Sequence, residues 1–222
     1  MDRKTRTLLF CGALAGPLFT IAWLIEGLAR VHYDPTRHPI SSLSLGEWGW
    51  TQIANFLVTG ILTLVLASGL RKVFQSEGEA VWVPILIAGV GVGFLGTGFF
   101  NTDPISGYPL GTPAIRFPPT LTGVLHIFFA SFVFGLPLAC FVMARLFDDQ
   151  GGRNWAVYSK FTAVTFILVY LFAMAGFLQV PGLVNYAGVL QRISLTIILL
   201  WMTLLPIYLL KYPLPLQATG KS

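Results

Sequence analysis

A chain of 222 residues that is 55% hydrophobic and only 10% charged falls well below the roughly 25% charged content of a soluble domain, so water is not its main solvent. The net charge of +5 is spread along the chain rather than gathered into a basic patch, and no P-loop, dinucleotide fingerprint or HExxH pattern is present, so neither nucleic acid nor nucleotide is expected as a partner. A mean hydropathy of +0.74 over this length leaves room for about six spans of roughly 20 residues with short connections. The expected fold is an all-α integral membrane protein, one membrane domain over 1–222 built as a bundle of six transmembrane helices.

The first span is expected over about 7–28, bent at Gly16-Pro17 because proline removes one intrahelical hydrogen bond. A polar connection over 29–50 follows, with Trp48 and Trp50 marking the next interface, and the second span is expected over about 51–70. Within that connection, His38-Pro39-Ile40-Ser41-Ser42-Leu43-Ser44-Leu45-Gly46 has proline at a first helical position and glycine at the stop, which predicts one or two helical turns lying at the interface. Ile40 and Leu43 then share a face toward lipid, and Ser41 and Ser44 share the other.

The third span, about 82–100, is studded with glycines, of which Gly89 and Gly93 form a small-xxx-small pair. This helix is expected at the centre of the bundle. The connection over 101–120 contains five prolines, so it is neither helix nor central strand and reads as an ordered cap. The remaining spans are expected over about 121–144, with a kink at Pro137, and over about 157–178 and 187–210.

Orientation follows from the basic residues. Ten of the fourteen, namely Arg3, Lys4, Arg6, Arg71, Lys72, Arg145, Arg153, Lys160, Lys211 and Lys221, fall on one side, which makes the protein N-in and C-in with the cell (plasma or inner) membrane as its place. Cys11 and Cys140 both lie near the inner ends of spans, so no disulfide is expected.

Ionisable and amide residues gather at the outer ends of the spans, where burial of a charge asks for a partner or a function. Glu26, Arg37, Ser41, Asn55, Asp103, Arg116, Gln191 and Arg192 are the candidate ligand contacts, Arg192 and Arg116 as anion-binding groups. All three histidines fall on this side, and His38, His126 and Asp103 form the candidate metal set, with zinc as the candidate cofactor and water in its open position. Each residue also has a structural reading: Arg192 neutralising Glu26 or Asp103, Arg30 pairing with Glu26 four residues away, His126 capping a loop carbonyl, Asn55 tying helices together.

The run from Arg37 to Ser44, then Trp50 and Asn55, Thr102-Asp103-Pro104, Gly107-Tyr108-Pro109 and His126 resemble the bacterial membrane family catalogued as domain of unknown function 998. The resemblance covers nearly the whole chain and implies six membrane helices without an assigned activity. More distantly, His38, Asp103, His126 and a serine among Ser41, Ser42 and Ser44 are loosely similar to the zinc sites of alkaline ceramidases and adiponectin-receptor-like proteins. Those have seven spans and a His-xxx-His pair in the last, where this chain has Gln191 and Arg192. Three functions follow as expectations: an outward pocket binding a lipid headgroup or small polar molecule, a metal-dependent hydrolase of lipid amides or esters, or a structural subunit. Membrane lipids are the expected partners, with a protein partner or a second copy as a further candidate.

Overall fold

The computed structural model describes residues 1–75, 78–149 and 151–212. Lys221, counted above among the basic residues, lies outside them, as does the end of the expected 1–222 domain. Six helices are long and apolar enough to cross a membrane: α1 (Arg3–Ala29), α2 (Gly49–Val73), α3 (Trp82–Phe99), α4 (Leu121–Asp149), α5 (Arg153–Phe177) and α6 (Val184–Lys211). Their outward side chains stay apolar, with Phe10, Ile61, Ile127, Phe161 and Leu171 exposed, as side chains facing hydrocarbon require.

Proline sets the interruptions. In α1 the helix breaks at Leu14, between Arg3–Ala13 and Ala15–Ala29, because Pro17 has no N–H to offer the Ala13 carbonyl. In α4 a tight 3-10 turn, Ser131–Phe134, precedes Gly135–Asp149, just where Pro137 cannot donate to Val133. Pro206, by contrast, lies inside an unbroken stretch of α6 from Ala187 to Lys211.

Consecutive helices pack side by side and α6 closes onto α1, so the bundle is a ring rather than a set of helices around a centre. The expected central place for α3 is therefore corrected: it lies between α2 and α4, like any other member. Its glycines serve those two contacts. A Cβ on Gly91 would meet Leu64 of α2 at 2.9 Å, and a Cβ on Gly96 would meet the Phe129 ring of α4 at 2.0 Å. Gly89, half of the expected pair, faces nothing within 4 Å. Gly12 and Gly16 close the ring, since a Cβ there would meet Leu66 of α2 at 2.4 Å and Thr203 of α6 at 2.6 Å.

Both ends of the described chain fall at one end of the ring, here called proximal. Three connections cross the other, distal end and interlock. The first carries the short 3-10 turn Ile40–Ser44, but Ile40 and Leu43 are 2% and 0% exposed, which corrects the expectation that they face lipid. The turn is pushed down into the mouth of the ring against α1, α2 and α6, so its apolar face meets the core. The second connection is ordered, with Ile105 bridging to Tyr108 and Ile115 and the Ser106 N–H donating to the Ala114 carbonyl at 2.7 Å. Tyr108 reaches across to Tyr33 and His38, at ring distances of 5.2 Å from each. Gln179 of the third donates to Ser106 Oγ at 3.4 Å.

Candidate functional site

Two structures share the distal end: a clasp that holds the loops down and a cavity beneath it. The clasp is built on Arg192, which is 7% exposed near the start of α6. Its guanidinium donates to the carbonyls of Pro35 at 2.7 Å, His38 at 2.9 Å and Gly188 at 3.0 Å, and also to the Tyr33 hydroxyl. It lies 5.3 Å from the centre of the Trp23 ring and 5.5 Å from that of Tyr33. Among the described residues no carboxylate forms a salt bridge with it, so carbonyl dipoles and aromatic faces stand in for the expected Glu26 or Asp103. Tyr33 in turn donates to the Pro39 carbonyl at 2.9 Å, and burial pushes its pKa up to about 12 against the pull of Arg192.

His38 is the pivot between loops. Its Nδ1 accepts the Asp34 N–H at 2.9 Å, which fixes the neutral tautomer with the proton on Nε2, and its other polar neighbour is the backbone of Ser106. Burial lowers its pKa from the ordinary histidine value, with Arg37 adding to the effect and Asp34 opposing it. At Asp34 burial works upward, yet the hydrogen bonds from the Thr36 hydroxyl and N–H outweigh it and hold the carboxyl below its usual value.

Glu26, Asn55, Asp103 and Arg116 each close a local connection. Glu26 pairs with Arg30 at 3.4 Å, one helical turn away. Arg30 also donates to the Leu43 carbonyl at 3.1 Å, the Thr51 hydroxyl at 3.0 Å and the Trp48 carbonyl. Asn55 donates to the Phe19 carbonyl at 3.3 Å, tying α2 to α1. Asp103 accepts from the Thr120 N–H and hydroxyl, both at 2.8 Å, and so pins the start of α4, with the exposed Arg116 at 3.8 Å. Arg37 is half-buried on the first loop.

The structure does not bring the candidate metal set together. His38 and Asp103 hold the contacts just described, while His126 Nδ1 donates to the Phe100 carbonyl at 2.7 Å. Among the described residues no three of His, Cys, Asp and Glu are grouped so as to hold a metal ion.

What does converge is a cavity of about 70 Å³ within the ring, just under the 3-10 turn. Ser41, Gln191 and His126 reach it, together with Thr97 and Tyr170, and the rest of the wall is apolar, including Phe19, Phe56, Phe94, Phe129 and Leu195. Gln191 is held there by accepting the Ile40 N–H at 2.8 Å and by the Tyr170 hydroxyl beside it. The distal half of α4, Leu121–Ala130, packs on α3 and makes no comparable contact with α5 or α6. α4 supplies one wall and Tyr170, Gln191 and Leu195 the other, so the cavity lies between them.

Tyr170 carried a signal in the sequence, a hydroxyl in the apolar run from Phe166 to Phe177, whereas Thr97, in the last turn of α3, carried none that set it apart. A family model for a protein of unknown function (DUF998) matches residues 13–208. The chain belongs to DUF998. The match takes in the clasp and every residue of the cavity wall, so both are features of the DUF998 region and not of an appended segment. No curated protein and no solved structure matches the chain.

Proposed function

We propose that this multi-pass membrane protein is a lipid-binding component that takes the end of one aliphatic chain into the distal cavity, beside Ser41, Gln191 and His126. The observation that carries the reading is a mostly apolar cavity with a few convergent polar groups, walled by residues of the spanning helices. A volume of about 70 Å³ is small beside the roughly 150 Å³ apolar cavity that accepts benzene, so it suits the end of a single chain rather than a whole headgroup. The distal end faces outward in this reading, with both termini in the cytoplasm of a cell bounded by that membrane, as the bias of basic residues argues. Arg192 and Arg116, first expected as anion contacts, drop out of the ligand set: both terminal nitrogens of one are taken up in the clasp and the other is exposed on a loop.

The hydrolase reading needs His38, Asp103 and His126 to converge, whereas each makes a separate hydrogen bond elsewhere. The structural reading has its own support in Glu26, Asn55, Asp103 and Arg192, all of which bind parts of the fold to one another. Native mass spectrometry of the protein released from detergent separates the two that remain. Wild type is expected to retain a lipid that Ala130→Phe, which fills the cavity from α4, releases while keeping its helix content. A wild type that carries no lipid, or an Ala130→Phe protein that carries as much, would remove the binding reading and leave the structural one.

A further inference from the structure

A second opening lies at the proximal end, between α2 and α3, and its origin can be read from the helix contact. Where Gly91 and Gly98 of α3 meet Gly60, Leu57 and Leu64 of α2, the backbones approach closely: a Cβ on Gly60 would stand 2.9 Å from the Gly91 carbonyl. Below that, toward the chain termini, the facing residues are Ala67, Ser68 and Arg71 on α2 and Pro84, Ile85 and Ala88 on α3. Ala67, Ser68, Pro84 and Ala88 are too short to fill the space between two helices at ordinary spacing, Ile85 and Arg71 are exposed, and a furrow of about 400 Å³ remains.

We propose that this furrow binds an anionic phospholipid, one acyl chain running along Ala67, Ile85 and Ala88 and the phosphate resting on Arg71. Three observations fit that occupant. The furrow lies on the side of the ring that faces hydrocarbon, with Ile85 and Ser68 exposed. Its walls are apolar along the length that an acyl chain would cover, since the Ser68 hydroxyl is turned back onto the Leu64 carbonyl at 2.9 Å. Arg71 stands at its mouth, in the last turn of α2 beside Lys72, on an end of the ring that also carries Arg3, Lys4, Arg6 and Lys211. A guanidinium there matches a phosphate in charge and in donor geometry.

The site is separate from the distal cavity, and the experiment keeps them apart by working in the Ala130→Phe background. Lipid binding to the purified full-length protein is followed by native mass spectrometry with phosphatidylglycerol and phosphatidylcholine of the same acyl composition. Phosphatidylglycerol is expected to bind about fivefold more tightly, the factor that roughly 1 kcal/mol per basic residue near a membrane surface corresponds to. Arg71→Ala should abolish the preference and Arg71→Lys should keep most of it, whereas Ala88→Leu, which fills the furrow without touching charge, should weaken both lipids. Equal binding of the two lipids by the parent protein, a preference that survives Arg71→Ala, or an Ala88→Leu protein that binds both as before would overturn the proposal.

Discussion

Replacing Arg192 by methionine keeps the length and apolar stem of the side chain and removes the guanidinium. Three of its hydrogen bonds reach the first loop, to the carbonyls of Pro35 and His38 and to the Tyr33 hydroxyl. The fourth acceptor, Gly188, is one turn back on the same helix and loses little. Hydrogen bonds to a charged group are worth about 1.5–3 kcal/mol each, so three set a ceiling of roughly 5–9 kcal/mol. Two effects pull the figure down. Burying a guanidinium without a carboxylate costs several kcal/mol that the methionine avoids, and the loop can lift away and let water satisfy its carbonyls. About 3 kcal/mol of destabilisation remains, which for a chain of this size lowers the melting temperature by roughly 6–12 °C. Arg192→Lys should fall between, because one ammonium cannot reproduce the planar fork. The assays are thermal unfolding in detergent and the rate of proteolysis within residues 30–48, which should rise. An Arg192→Met protein that melts with wild type and resists protease equally well would refute the clasp as the element that holds the loop.

The pH dependence of the same clasp follows from His38. Its folded pKa lies below the ordinary 6.5, so the unfolded chain takes up the proton first; the histidine costs nothing above pH 6.5, and a penalty develops as the pH falls from there toward the folded value. Protonation would aim an Nδ1–H at the Asp34 N–H that it now accepts. Hydrogen-exchange protection in the two loops, measured relative to the intrinsic rate, which itself slows in acid, should therefore fall below about pH 6.5 in wild type and not in His38→Asn; loops equally protected across that range would contradict the assignment. The glycine contacts give a paired test. Gly96→Ala puts a Cβ 2.0 Å from the Phe129 ring and should cost about 1–3 kcal/mol as overpacking. Gly89→Ala meets open space and should be neutral or gain roughly 0.5–1 kcal/mol from helix propensity. Equal melting temperatures for the two variants would show that α3 does not use its glycines as described.

The spans were legible because a length of apolar residues encodes a crossing directly, whatever lies beside it. The breaks at Pro17 and Pro137 were legible for a similar reason: a missing N–H acts within four residues. Whatever depended on a partner in space was not. Ile40 and Leu43 define an apolar face equally well on top of a bundle or inside its mouth, and only the fold selects the inside. Gly89 and Gly91 look alike in a helix of alternating glycines, yet one meets open space and the other meets Leu64. A buried arginine suggests a carboxylate, because acidic residues are visible in a sequence and backbone carbonyls turned toward it are not. Gln191 and the local Glu26–Arg30 pair were recognised as polar sites; that Gln191 looks into the cavity while Glu26 does not depends on helix rotation.

Gln191 and Arg192 are neighbours on one helix, and successive residues there diverge by about 100°. One therefore reaches the cavity while the other reaches the loops, and both meet the same short segment: Gln191 takes the Ile40 N–H, Arg192 takes the His38 carbonyl, and Ser41 between α6 and the core lines the cavity wall. The loop carbonyls that accept from Arg192 also offset the cost of burying its charge without a carboxylate. Loop and helix start thus hold each other in place, and the roof of the cavity is the loop so held. A ligand that fills the cavity under Ile40 and Ser41 adds to the same contacts, which ties occupancy of the cavity to closure of the clasp. On this account Arg192→Met should weaken lipid retention although Arg192 is absent from the cavity wall, and the loss should track loop opening rather than any change in the lipid contacts themselves.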